Sequence, residues 1–392
     1  MTHRHLAYAP IVFAALAAGC GRLPVYADGG TGGRGQAGAG AGAGGTGGTF
    51  VPTRKVDMLF VIDDSSSVRL LQDNLNRNFP TFMSRLADPP GLPDLRVAVI
   101  GIDLGAGDGS IAGCNATGGK NGIFEFTARG TCASTGLDPG ATYIADSGTT
   151  RNYTGNLPDV FTCIAALGEQ GCGFEHVLAS ITRALGADGR PAPVENQGFL
   201  RDDAFLFIAI FTDEDDCSAP PGSGLFDTRT STKLASPLGP VSNFRCNEFG
   251  HLCKGQKPPR LAPNGSVNDT VTLDGCVSAE GAGMLIPVST IVAQLRALKP
   301  FPDQQIVVSA IAGPTTPYTV VWKNPSTADT GPWPVIGHSC TALDGSFGDP
   351  AVRIAQFVQT FGANGLLMPV CETNYGPSLD RMAQLLNQVM PR

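Results

Sequence analysis

Two near-continuous apolar runs constrain this chain more than any other feature: Val56-Asp57-Met58-Leu59-Phe60-Val61-Ile62 and Ala204-Phe205-Leu206-Phe207-Ile208-Ala209-Ile210-Phe211. A strand that is apolar on both faces belongs in the interior of a parallel sheet with helices packed on each side. Between and after these runs, apolar residues recur at helical spacing. Val68, Leu71, Leu75, Phe79, Phe82 and Leu86 mark one helix, which Pro80 is expected to kink or to end early. Phe174, Val177, Leu178, Ile181 and Leu185 mark a second, and residues 284–298, 351–361 and 378–389 three more. Further strands are expected at 95–102, 306–311 and 366–370. Strands alternating with amphipathic helices give an α/β class, a doubly wound and mainly parallel sheet.

The N-terminus bears on the compartment. Arg4 and two histidines precede a short apolar stretch that ends in Leu16-Ala17-Ala18-Gly19-Cys20, similar to a bacterial lipoprotein signal peptide over residues 1–19, with Cys20 as the lipidation site. A plain secretory signal with a free Cys20 is the alternative, and both export the chain. Setting Cys20 aside, the 11 cysteines leave an even set for disulfides, as an oxidising compartment favours. These are Cys114, Cys132, Cys163, Cys172, Cys217, Cys246, Cys253, Cys276, Cys340 and Cys371. From Gly29 to Gly48 there are 12 glycines and nothing to bury, so residues 20–53 read as a lipidated cysteine and a flexible tether. Its r.m.s. span is about 25 Å. Localisation is expected at the bacterial cell envelope, with the lipid as the one membrane contact. The net charge of −7 becomes −8 once Arg4 leaves, which argues against a nucleic-acid partner.

Both apolar runs end in carboxylates. The first runs into Asp63-Asp64-Ser65-Ser66-Ser67, the second into Thr212-Asp213. Ligands of open α/β sheets bind beyond the carboxyl ends of the strands. Two hydroxyls (Ser65, Ser67) and two carboxylates (Asp63, Asp213) make an oxygen set for a hard dication, Mg²⁺ first, with Mn²⁺ or Ca²⁺ as alternatives. The same Asp and Ser residues are also expected to cap the following helix. Glu214, Asp215 and Asp216 read either as a solvated acidic turn or as a site for a second cation.

In these motifs the chain resembles a von Willebrand factor type A domain, a Rossmann-like fold. Asp63, Ser65 and Ser67 match the Asp-x-Ser-x-Ser element of its metal-ion-dependent adhesion site, and Asp213 its later aspartate. Cys172 stands where that family has a threonine ligand, and a thiol is a poor ligand for a hard cation. A Cys172–Cys163 disulfide is expected instead. The resemblance spans residues 54–392, interrupted by two long irregular insertions at about 104–156 and 214–282, expected to be stapled by disulfides and to form a specificity surface around the ion. No Gly-x-Ser-x-Gly elbow and no phosphate-binding Gly-Lys-Ser/Thr loop occurs, and Ser65 stands where a haloacid-dehalogenase-like enzyme needs an acid. The expectation is therefore a non-enzymatic adhesion or interaction module, binding an envelope or extracellular protein or glycan through a carboxylate on the metal. The alternatives are a metal-free structural envelope protein and a metal-assisted hydrolase.

Overall fold

Successive side chains of a strand point to opposite faces, and along β1 (Lys55–Ile62) both faces are apolar. Met58, Phe60 and Ile62 enter one core, and Leu59 and Val61 the other. The computed structural model describes residues 50–391 apart from 108–110, 112, 115–117, 130–131, 133–135, 229–232 and 325–330. The expected signal peptide, Cys20 and glycine tether lie outside the described residues.

Six strands form the central sheet: β1, β2 (Asp94–Gly101), β3 (Ile144–Asp146), β4 (Phe205–Phe211), β5 (Ile306–Ala312) and β6 (Gly365–Pro369). Their spatial order is β6-β5-β4-β1-β2-β3, parallel throughout except for β3, which runs antiparallel to β2 at one edge. The chain builds outward from β1 to β2 and β3, then crosses to β4 on the other side of β1. The order therefore reverses between β1 and β4, which leaves a crevice beyond their carboxyl ends. In the first core, α1 (Arg69–Leu86), α2 (Leu157–Ala165) and α6 (Gly376–Val389) cover the sheet around Phe60, Phe79, Phe82 and Phe161. In the second, α3 (Val177–Ala184), α4 (Val288–Arg296) and α5 (Val352–Gln359) pack on Leu206, Ile208 and Val308.

Several expectations change. Helix α1 continues through Pro80 rather than ending there. Its N-cap is Val68 with no side-chain cap, so Ser65 and Ser67 are not spent on capping. Helix α2 went unforeseen, and so did β3, which makes part of the first insertion an edge strand of the sheet. A three-stranded antiparallel sheet of Thr270–Leu273, Tyr318–Lys323 and Trp333–Gly337 was also missed. It buries Val320 and Trp322, so the described residues between 313 and 350 form a third excursion from the sheet.

Five disulfides pair Cys114–Cys172, Cys132–Cys163, Cys217–Cys246, Cys253–Cys276 and Cys340–Cys371. The expected Cys172–Cys163 bond does not form. Cys163 lies in α2, where the incoming segment ties to it through the Arg129 N–H on the Cys163 carbonyl (3.0 Å), and this delivers Cys132. Cys172 instead faces Cys114, with Cα atoms 4.2 Å apart.

The acidic turn after β4 is neither solvated nor a cation site at Asp215 and Asp216; those two carboxylates clamp helices. Asp215 accepts from the backbone N–H groups of Arg353 (2.9 Å) and Ile354 (3.1 Å) at the start of α5, and from His251 Nε2 (2.8 Å). Burial pushes its pKa up, but the bond and charge of His251 and the backbone donors outweigh that and hold it below the usual value. Asp216 accepts from the N–H of Leu178 in the first turn of α3 (2.9 Å) and pairs with the buried Arg353, whose Nε lies 3.0 Å away. Arg353 also reaches Ser278 Oγ and the Ile286 carbonyl. Removing one partner from a buried ion pair strands the other charge. Arg353→Met is expected to cost about 3–5 kcal/mol of stability, measurable as a lowered denaturant midpoint; an unchanged midpoint contradicts the clamp.

Candidate metal centre

Parallel pairing of β1 with β4 brings the two half-motifs together. The Asp63 N–H, just past β1, donates to the Phe211 carbonyl at the end of β4 (2.9 Å). Asp63 is fully buried: Oδ1 accepts from the Ser65 N–H (2.8 Å) and Oδ2 from the Thr212 hydroxyl (2.7 Å). Ser65 Oγ and Ser67 Oγ are 3.5 Å apart. Ser67 in turn hydrogen-bonds the Asp213 carboxylate, which is 4% exposed and whose Oδ1 has no hydrogen-bond partner. The four oxygen-bearing residues named from the sequence thus form one continuous chain of contacts across 149 residues of sequence.

Cys172 does not join them as a ligand. Its sulfur is buried in the bond to Cys114, and a disulfide sulfur has nothing to offer a hard cation. The loop still abuts the site. The Gly171 N–H donates to the Asp64 carbonyl (2.7 Å), and a Cβ on Gly171 would lie 2.7 Å from the Asp64 carboxyl carbon, so no larger residue fits this approach. The oxygen this loop brings to the cluster is carried three residues later by Glu175. That side chain is 1% exposed, its Oε1 has no hydrogen-bond partner, and its carboxyl shares a hydrogen bond with Glu214. Glu175 was missed because it follows Phe174 at the entry to α3, where a lone acid reads as an ordinary helix start. Gln72 was missed too: its amide binds the Asp63 carbonyl (2.7 Å) and both polar groups of Gly168, pinning the neighbouring loop.

The electrostatics separate this cluster from other acids nearby. Asp64 has Lys120 at 2.7 Å, Asp215 has His251 and Asp216 has Arg353. Asp63, Glu175, Asp213 and Glu214 make no ion pair with a basic side chain among the described residues. Burial, then the Asp213 carboxylate, pushes Asp63 up to about 7. Burial, then Glu214, does the same to Asp213, and burial, then Asp349, lifts Glu214 to about 8. Burial, then Glu214 and Asp63, raises Glu175 well above the carboxylate range. Each carboxylate resists ionisation because its neighbours are acids in a desolvated space. A dication would reverse that penalty, and the orphaned Asp213 Oδ1 beside two serine hydroxyls fits one. Asp63, with both oxygens engaged, suits a role as charge held behind water. No group of three or more His, Cys, Asp or Glu side chains converges as a ready-made metal cage among the described residues, so hydroxyls and water must complete any coordination shell.

A pH dependence follows. Asp63 and Asp213 rise from the ordinary 3.8 to about 7 on folding, so the folded chain binds more protons than the unfolded one between those values. Stability carried by these two groups is complete below about pH 4 and is lost as pH rises through 7. With a chelator present, Asp63→Asn is expected to gain stability relative to the parent as pH is raised from 5 to 8; a stability difference independent of pH contradicts the assignment.

The sequence matches no protein-family model and, among curated proteins, none gives a significant match.

Proposed function

We propose that the chain is a lipid-anchored cell-envelope protein, exported by the segment ending at Cys20, whose type A-like domain binds a protein or glycan partner through a divalent ion held by Ser65, Ser67, Asp213 and Asp63. The strand order with a single antiparallel edge supports the type A reading, as does the place of the acids at the reversal of strand order. The observation that carries the metal is the Asp213 carboxylate, buried without a basic partner, its Oδ1 unbonded, in contact with Ser67. Mg²⁺ fits a set of hydroxyl and carboxylate oxygens that leaves positions for water and for a partner's carboxylate. The loops leaving the carboxyl ends of β2, β4 and β5 surround the same edge, and the bonds Cys114–Cys172, Cys217–Cys246 and Cys340–Cys371 hold them in place. Recognition commonly resides in loops on a rigid scaffold.

One observation favours the competing, metal-free structural reading: the disulfide at Cys172 removes the third conventional ligand. Isothermal calorimetry separates the two. Mg²⁺ or Mn²⁺ is expected to bind the parent protein at one site, with Asp63→Ala abolishing the heat and Ser67→Ala weakening binding about tenfold or more, at least what loss of an outer-shell contact costs. Identical thermograms for parent and Asp63→Ala would leave the scaffold reading.

A further inference from the structure

Beside the cluster, the short helix Phe244–Gly250, the strand Trp333–Gly337 and the turn after β4 enclose a cavity of about 330 Å³. Its lining includes the acids Glu175, Glu214 and Asp349 and the apolar side chains Phe244, Val335 and Ile336. The Asp349 N–H donates to the Asp213 carbonyl (2.7 Å), so the cavity and the ion site share a wall. Its acids differ in how they are satisfied. Asp215 and Asp216 are committed to helix starts and to His251 and Arg353, and Asp349 holds His338 at 2.7 Å. Glu214 accepts from Asn243 Nδ2 (2.8 Å). Glu175 lines the cavity from a fully enclosed position with Oε1 unbonded. Neither glutamate has a basic partner among the described residues, and for the buried Glu175 a carboxyl without one is costly.

A dication on Asp63 and Asp213 would balance those two groups and leave Glu175 and Glu214 bonded to each other through a shared proton, which an entering cation would displace to solvent while bonding both carboxyls. The volume is several times the roughly 30 Å³ share of one water and lies at the small end of ligand pockets, about 300 Å³. That suits one extended side chain. A guanidinium bonds two carboxyl oxygens at once, and its aliphatic stem lies well on apolar surface.

We propose that this cavity is a pocket for a single arginine side chain of the partner protein, with the guanidinium between Glu175 and Glu214 and the stem along Phe244 and Ile336. The proposal builds on the binding-module reading and adds to it that the partner offers a cation as well as a group for the metal.

The test is calorimetric titration of the purified protein with N-acetyl-arginine methylamide, its neutral isostere N-acetyl-citrulline methylamide, and agmatine, each with EDTA and with Mg²⁺. The arginine probe is expected to bind about tenfold or more tightly than the citrulline probe, as a charge-assisted bidentate contact requires. Glu214→Gln and Glu175→Gln should erase that preference, and Ile336→Trp, which adds bulk to the lining and leaves every acid in the sequence, should abolish binding while the melting transition is retained. Equal binding of the charged and neutral probes overturns the proposal. So does agmatine binding tighter than capped arginine, which marks a site for free amines, or a second equivalent of divalent ion lost in Glu214→Gln. Mg²⁺ binding without arginine binding removes the pocket alone; arginine binding without Mg²⁺ binding removes the metal and keeps the pocket.

Discussion

The parallel pairing of β1 with β4 is the contact on which the rest depends. It places the Asp63 N–H on the Phe211 carbonyl and so sets two acidic turns side by side at the reversal of strand order. The pairing is held by two apolar cores, because each strand buries both of its faces. At about 25 cal/mol per Å² of apolar surface buried, such strands supply far more stabilisation than a cluster of like charges takes away. A fold so anchored tolerates an electrostatically unfavourable turn.

Acids across the molecule are treated in two ways. Asp57 is completely buried at the opposite end of β1, with Arg201 at 2.8 Å. Asp64, Asp215 and Asp216 are also enclosed, each with its cation or helix start. The chain therefore has the means to neutralise a buried carboxylate and applies them immediately after Asp63, at Asp64, and shortly after Asp213, at Asp215 and Asp216. Asp63, Glu175, Asp213 and Glu214, which have no basic partner among the described residues, form one connected group, and that grouping is what the proposed ion site rests on.

The strands of the sheet were legible where burial on both faces makes an unbroken apolar run, as in β1, β4 and β5, and β2 and the less buried β6 also fall where apolar runs do. β3 was not, because three residues at an edge, inside a glycine-rich stretch, carry no periodicity. The small sheet was overlooked although Tyr318, Val320 and Trp322 alternate inward, since proline and glycine flank it closely. For the site, the four residues next to strand ends were readable from strand geometry. Thr212 and Gln72, which hold Asp63, and Glu175, which joins its electrostatic group, come from residues whose importance arises from long-range packing. Disulfide pairing was beyond reach for the same reason: Cys114 meets Cys172 across 58 residues of chain.

The split of the cluster between β1 and β4 has a consequence for biogenesis. A ribosome adding roughly 5–20 residues per second releases Asp63 on the order of ten seconds before the turn at Asp213. Through that interval the Asp63–Ser67 turn is a loose segment without the Asp213 carboxylate that completes the proposed set. The proposed ion site is complete only when a strand made much later pairs beside the first, so until then the newborn chain holds just one of its two halves.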